Sequence, residues 1–541
     1  MVRVRGDIPG NVLTQGGVSF IGHPLLGGSP RFVRRLAHTL YGAGYNSGAA
    51  PLTGDGTSKT YGANFVNLSG AAISIASVVF QGWTLRTTGT TDASASYDVT
   101  GSIEYPVGTQ VGTYAVTVTA GGNVATSDIT LSTPIPAGAT FKVNAASTVA
   151  NAATYILNLG FAGLRTYAKS TLLKKAIGGF GDSIMTNNGG SLITAATGRC
   201  PAYLNSITGT TATTYMASAG ANFTKQVALC ALLGVDWVMT NFGTNDFGGA
   251  VTLSTLQGYL TTARDMVRTA GMRYAHITML PRTASSATVI TASSTTSSGT
   301  LITMTVPDAT KFTVNQFYSV AGAVETEYNG TKFCTAINTG SNTITLLFAG
   351  SASPTATGTI TVTAWKPTLV AGLMTAFSAS FAAGGSSARG LFNAWVRGGV
   401  FDGYVEWADA CEPSRDSGRW LVAGEDSLLP AAQLITVASV VSTSRFTSNY
   451  NAGNSTFANG VLQPLTGANI GATKAGSTNT AGDLTVTAAF TNAQAIGDTY
   501  WALPGVGYMS DDGTHPRVAG GGKGGQPHLD NPMIAWITAN T

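Results

Sequence analysis

At 541 residues the chain is longer than one ordinary domain, so several folding units are expected. Only 10% of residues are charged, 29 basic against 25 acidic, where an average soluble protein carries roughly 25%. A net charge of +4, with no basic block beyond residues 31–36, excludes a nucleic-acid partner, and no apolar run is long enough for membrane insertion.

Glycine (68 residues), alanine, serine and threonine take the place of the missing charges. Ser/Thr-rich strands joined by glycine turns suit a β-rich protein of extracellular type, polar at its surface but uncharged. The opening MVRVRGDIPGNVL lacks the apolar core of a secretory signal. A virion protein released by lysis satisfies both observations; so does a mature chain that has lost its signal, or one exported by another route. Cys200, Cys230, Cys334 and Cys411 are scattered with no C-x-x-C pair, which argues against a zinc site and a disulfide scaffold. Cys230, in QVALCALLG, reads as a core residue.

In chain order, residues 1–60 are punctuated by Gly, Pro and Ala around one helix-like stretch, SPRFVRRLAHTLYGAG, and read as an attachment or packing segment. Residues 61–170 hold short alternating runs spaced by Gly, Pro and Asn, the pattern of a β-sandwich domain. From 171 the pattern changes. KKAIGGFGDSI is an apolar strand ending in a serine, FTKQVALCALLG is helical, VDWVMTNFGTND is a buried strand ending in Asn245, TLSTLQGYLTTARDMVRTAG is an amphipathic helix, and MRYAHITMLPRT is the next strand. Such alternation predicts a parallel α/β sheet, with the serine and the asparagine at the strand ends where open α/β folds place their ligands. Two polar, strand-like stretches, 284–365 and 421–500, interrupt the α/β unit of residues 171–541; KPTLVAGLMTAFSASFAAG and ARGLFNAWVRGG between them are predicted helices, followed by a last strand, FDGYVEW, and a closing helix. Insertions of this length are tolerable because loop-closure entropy grows slowly.

Four stretches carry the chemistry: Gly181-Asp182-Ser183-Ile184, Gly220 in MASAGANF, Gly243-Thr244-Asn245-Asp246, and Asp512-Gly513-Thr514-His515. Each alone reads as a turn or loop. As an ordered set, with serine and asparagine each following an apolar strand, they supply a nucleophile, oxyanion donors, an acid and a base. This set resembles the motif blocks of the SGNH, or GDSL-type, hydrolases over about 171–283, 366–420 and 500–541. The resemblance implies a three-layer α/β/α, flavodoxin-like hydrolase domain with β-rich insertions, and an esterase, lipase or carbohydrate deacetylase. It also implies the roles: Ser183 as nucleophile and oxyanion donor, Gly220 as backbone donor, Asn245 as side-chain donor, and Asp512 with His515 as acid and base. The region ahead of the hydrolase resembles sandwich domains that precede some such enzymes, and the stretch EYNGT to SPTATGTITV resembles small β-modules of phage tail proteins.

The residues themselves say the following. A serine hydroxyl needs an imidazole to take its proton, so Ser183 requires His515 within reach. The spacing Asp512-x-x-His515 lets the carboxylate meet the far ring nitrogen and fix the tautomer. Glycine at 220 suits a close backbone approach to substrate. The G-x-S-x-G elbow of the α/β-hydrolases fails, because Met185 stands at its last position. Asp182 and Asp246 lie in no metal-ligand motif, so neither metal nor cofactor is expected, and Asp182 is read as a backbone partner in the nucleophile loop. Asp511 is the alternative acid; Arg282 is a candidate for the pocket wall. His23, His38, His276 and His528 lack a comparable acid partner, with His276 read as core and His528 as loop. Trp395 and Trp407 have core explanations. The expected function is removal of O-acetyl groups from a carbohydrate such as a cell-surface polysaccharide, on a phage tail or outside the cell. The rivals are an adhesive virion protein with an idle site and a lipase or thioesterase of the same fold. Other virion proteins are expected partners, and a homotrimer if the chain is a tail spike.

Overall fold

A computed structural model describes residues 32–41, 50–187, 191–347, 355–453, 455–470, 472–480, 482–505, 507–516 and 525–541. Its centre is a sheet of six parallel strands: β1 (Thr39–Tyr41), β2 (Ile177–Phe180), β3 (Ala202–Leu204), β4 (Trp237–Thr240), β5 (Arg273–Ile277) and β6 (Gly403–Val405). Their spatial order is β1-β3-β2-β4-β5-β6. Strands β2 and β4 are buried at every position, as expected of strands covered on both faces. Phe180, Tyr203, Val238 and Tyr274 point to one face, where they pack with residues of α3 (Ala212–Leu233), α5 (Leu253–Thr269) and α6 (Ala388–Arg397). Ile177, Leu204, Trp237, Met239 and Ile277 point to the other, against α2 (Ser191–Ala196), α7 (Ala408–Cys411) and α8 (Gln526–Asn540). Helix α5 shows the local logic: Leu256, Leu260, Ala263 and Val267 fall on one stripe and are buried, and the Thr252 hydroxyl caps its first turn by accepting from the Thr255 N–H.

The sandwich has one sheet of Phe32–Leu36, Phe161–Lys169, Ile73–Gln81, Asn123–Ala125 and Ile129–Ile135, and a second of Ser58–Val66, Thr140–Thr148, Tyr97–Glu104 and Gln110–Val118. Strand Ile73–Gln81 is buried on both faces near its end: Val78 and Phe80 enter the sandwich core, while Val79 joins the α3 side of the α/β core. Arg165 Nη1 donates to the Leu232 carbonyl of α3 (2.5 Å), fastening the two units together.

The helix expected over SPRFVRRLAHTLYGAG is instead strand where it is described, at Phe32–Leu36 and β1. FVRRL alternates along its length and pairs antiparallel with Phe161–Lys169, so long-range pairing overrides local helix propensity. Residues 1–31 and 42–49, most of the expected attachment segment, lie outside the described residues. The helix expected over KPTLVAGLMTAFSASFAAG is reduced to single 3₁₀ turns at Ala371–Leu373 and Ala379–Phe381.

Residues 284–365 carry a seven-stranded antiparallel sheet, and 421–500 fold with Thr499–Leu503 into a closed six-stranded barrel, which leaves no sheet edge unpaired. The two modules pack on each other: Phe333 stacks on Trp501 (5.1 Å between centroids), and Val461, Leu503 and Tyr508 enter the first module's core.

Candidate active site

Because the strands are parallel, the loops that follow β2, β3 and β4 gather at one edge of the sheet. The chain crosses from β2 to one neighbour, β3, and then back to the other, β4, and such a reversal opens a crevice at the strand ends. Ser183 stands there as the first residue of α1 (Ser183–Asn187), three residues past β2.

Gly181 and Asp182 form a rigid approach to it. Asn241, just past β4, donates from Nδ2 to Asp182 Oδ1 (2.8 Å) and accepts the Asp182 N–H at Oδ1 (3.1 Å). Asp182 Oδ1 also accepts the Ile184 N–H (2.9 Å), while Oδ2 has no partner among the described residues. Complete burial pushes the Asp182 carboxyl up to about 6, against the opposing pull of these hydrogen bonds. Asp182 is therefore a backbone partner in the loop that carries Ser183.

His515 reaches Ser183 from 332 residues away: its Nε2 lies 2.7 Å from Ser183 Oγ, and its Nδ1 lies 2.6 Å from Asp512 Oδ2. Asp512 Oδ1 accepts the N–H groups of His515 (2.8 Å) and Thr514 (2.9 Å). Partial burial works against the Asp512 charge, but the His515 hydrogen bond and these two N–H groups win and hold the carboxyl far below the usual range. An ionised Asp512 only accepts, so His515 Nδ1 must carry the proton, and Nε2 then presents its lone pair to the serine hydroxyl. Asp511 is turned away, bound by Lys366 Nζ (3.1 Å) and the Tyr508 hydroxyl (3.1 Å).

The histidine loop is fastened by the flanks of both insertions. The Gly513 carbonyl accepts the Thr283 N–H (2.8 Å) and the Trp420 indole N–H (3.0 Å), and Thr368 Oγ1 exchanges hydrogen bonds with the Ser510 backbone (2.8 and 3.0 Å). Thr283 and Thr368 bracket the first module and Trp420 precedes the second.

Asn245, in the short helix α4 (Thr244–Gly248) after β4, donates from Nδ2 to the Thr210 carbonyl (3.0 Å), and its second amide N–H has no acceptor among the described residues. Asp246 caps α3, accepting the Ala212 and Thr213 N–H groups (3.0 and 3.2 Å). Behind this loop, His276 Nε2 lies 3.1 Å from the Phe242 carbonyl and Nδ1 lies 2.6 Å from Thr240 Oγ1. Burial drives the His276 imidazole down to about 3, so it is a neutral strut in the core.

Gly220 is not brought to this edge. It lies in the third turn of α3, where the space a side chain would fill is bounded by Met216 and by Met266 of α5. The glycine whose turn is bound to the strand end before Ser183 is Gly209. The Thr210 N–H bonds the Ile207 carbonyl (3.3 Å), closing a turn whose third residue, Gly209, has φ +80°, the conformation a type II turn reserves for glycine. The Ile207 N–H (3.1 Å) and Thr210 Oγ1 (3.0 Å) both meet the Gly181 carbonyl, so this turn is bound to the strand end that carries Ser183. Among the described residues the N–H groups of Ser183 and Gly209 have no internal acceptor. Sequence reasoning missed Gly209 and Asn241; their signal was position, each falling a few residues past an apolar strand.

Arg282 does line the site. Its Nε donates to Thr514 Oγ1 (3.2 Å), its Nη1 to the Thr244 carbonyl (3.3 Å), and its guanidinium lies 3.7 Å from the Phe377 ring centroid. Trp407 is core, its indole N–H bonded to the Leu529 carbonyl (3.0 Å), and Trp395 packs edge-on against Phe401. His528 differs from expectation: it is in α8, buried, with Nε2 2.7 Å from Asp426 Oδ2.

No protein-family model and no curated protein matches the chain. Among solved structures, a GDSL-like lipase from Bacteroides thetaiotaomicron is similar at 19% identity and a TM-score of 0.17, over 20% of this chain and 50% of that one. A psychrotrophic esterase from Pseudoalteromonas matches at 18% identity and a TM-score of 0.17, over 20% of this chain and 61% of that one. A peptidoglycan O-acetylesterase matches at 12% identity and a TM-score of 0.17, over 46% of this chain and 59% of that one. The chain spans about half the length of the solved structures it matches first.

Proposed function

We propose that the chain is a serine esterase that removes O-acetyl groups from a carbohydrate, at a virion or other extracellular surface. The observation that carries this reading is the continuous hydrogen-bonded chain from Ser183 Oγ through His515 to Asp512. As Ser183 Oγ attacks the ester carbonyl, His515 Nε2 takes its proton, and the ionised Asp512 stabilises the imidazolium. The carbonyl oxygen becomes an oxyanion facing the N–H groups of Ser183 and Gly209 and the second amide N–H of Asn245. Collapse of the tetrahedral adduct expels the sugar hydroxyl, which receives the proton from His515, and leaves an acetyl-serine. Water, activated by the same imidazole, releases acetate by the reverse sequence of proton transfers.

The carbohydrate part of the reading is supported by what surrounds the serine. Thr208, Gly209, Asn245 and Thr514 are partly or fully exposed and uncharged, and suit hydroxyl-rich substrates. Acetate release from an aryl acetate and from an acetylated polysaccharide tests the proposal. Preference for the polymer supports deacetylation, preference for longer acyl chains supports a lipase or thioesterase, and no release by folded protein supports an idle site.

A further inference from the structure

Arg282 stands in the wall of the site with no salt-bridge partner among the described residues, although the Asp512 and Asp182 carboxylates act on it from a distance. Three other arginines of the α/β unit are paired: Arg389 with Glu412, Arg268 with Asp402, Arg419 with Glu425. Arg282 forms no ion pair among the described residues. The two nearest acidic influences are committed elsewhere, Asp512 to His515 and Asp182 to Asn241 and Ile184. A guanidinium has five N–H donors, and the bonds to Thr514 and Thr244 use two of them. The head lies over the ring of Phe377, itself 43% exposed, and a side chain at Gly248 would come within 2.5 Å of Nη1. A half-buried, oriented, unpaired guanidinium whose Nε touches the neighbour of the catalytic base is a receptor for a planar anion.

We propose that Arg282 makes the site selective for acetyl esters on sugars that bear a carboxylate, the guanidinium accepting that carboxylate through its remaining N–H donors while the ester lies over Ser183. This rests on the esterase reading. A purely structural role, tying the Thr244 and Thr514 loops together, uses only the two bonds already made and predicts no dependence on substrate charge.

The test compares an O-acetylated uronic-acid polymer with an O-acetylated neutral glycan of equal acetyl content. Wild type, Arg282→Gln and Arg282→Lys are each assayed at low and high salt. In the wild type the uronate polymer is expected to show a kcat/KM about tenfold or more higher, the scale of one charge-assisted contact, with the margin narrowing as salt rises. Arg282→Gln brings the ratio close to one, and Arg282→Lys keeps part of it. A second readout avoids turnover: Ser183→Ala is expected to bind a deacetylated uronate oligosaccharide in calorimetry, and Ser183→Ala with Arg282→Gln to lose that binding. Equal loss of activity on both polymers in Arg282→Gln, with the ratio unchanged, overturns the proposal in favour of a loop clamp. An active wild type without charge preference overturns it while leaving the esterase reading intact. A folded wild type that cleaves no ester overturns both.

Discussion

Asn241 and Asp182 clasp each other across the ends of two neighbouring strands, side chain to side chain at 2.8 Å and backbone N–H to side chain at 3.1 Å. Gly181 leaves room for that clasp, because a Cβ there would overlap the Asn241 carboxamide oxygen. Gly181→Ala is accordingly expected to lower stability by about 1–3 kcal/mol, the usual range for overpacking. It should also cut kcat by up to about 10²-fold, since displacing a nucleophile by an ångström costs that much. Chemical denaturation and ester turnover measure the two effects separately. Wild-type turnover in a destabilised Gly181→Ala variant would show that the clasp serves folding alone.

Ser183→Ala removes the atom that His515 Nε2 faces and leaves the surrounding hydrogen bonds untouched. Turnover of acetyl esters is expected to fall by about 10⁴-fold or more, with an unchanged circular dichroism spectrum. Intact turnover would place the nucleophile elsewhere.

Asn245 and Gly220 separate two versions of the oxyanion site. Asn245→Ala removes one side-chain donor and is expected to lower kcat by about 10²–10³-fold, with a smaller effect on KM. Gly220→Ala introduces a side chain at φ +81° between Met216 and Met266, so it is expected to lower the melting temperature and leave kcat of the folded fraction unchanged. A kcat collapse in Gly220→Ala without loss of stability would return that residue to the site.

The contacts among Ser183, His515 and Asp512 were legible in the sequence where they are local. Asp512 and His515 are three residues apart, and Ser183 follows a short apolar run, so chain order alone proposes the partners the structure joins. Gly220 rests on the resemblance of MASAGANF to a motif block, whereas Gly209 is defined by a turn whose anchoring acceptor, the Gly181 carbonyl, lies 28 residues earlier. FVRRL could not be recognised as a strand without Phe161–Lys169, more than 120 residues away. The barrel was equally hidden, since Gln433–Ser442 closes against Thr499–Leu503 across some 60 residues of intervening chain. Nor does composition reveal that the ends of two insertions hold the histidine loop through Thr283, Thr368 and Trp420.

Asp182 gives the fold a pH dependence of unusual sign. Its folded value, about 6, lies above the ordinary aspartate range because the carboxylate is fully buried, and one of its oxygens has no partner among the described residues. Between about pH 4 and 6 the folded state therefore binds more protons at this position than the unfolded chain, and stability falls as pH rises through that window. The contribution is fully present below about pH 4 and lost above about pH 6, and a gap of this size is worth about 3 kcal/mol. Asp512 runs the other way: its folded value is depressed, so its contribution is present above the unfolded value near 4 and lost only in stronger acid. Asp182→Asn keeps an oxygen for Ile184 and Asn241 and removes the charge. It is expected to raise stability at pH 7.5 and to abolish the decline between pH 4 and 6, read from urea unfolding at half-unit steps. An unchanged pH profile in Asp182→Asn would mean that water reaches the free oxygen and that the carboxylate stays ionised throughout.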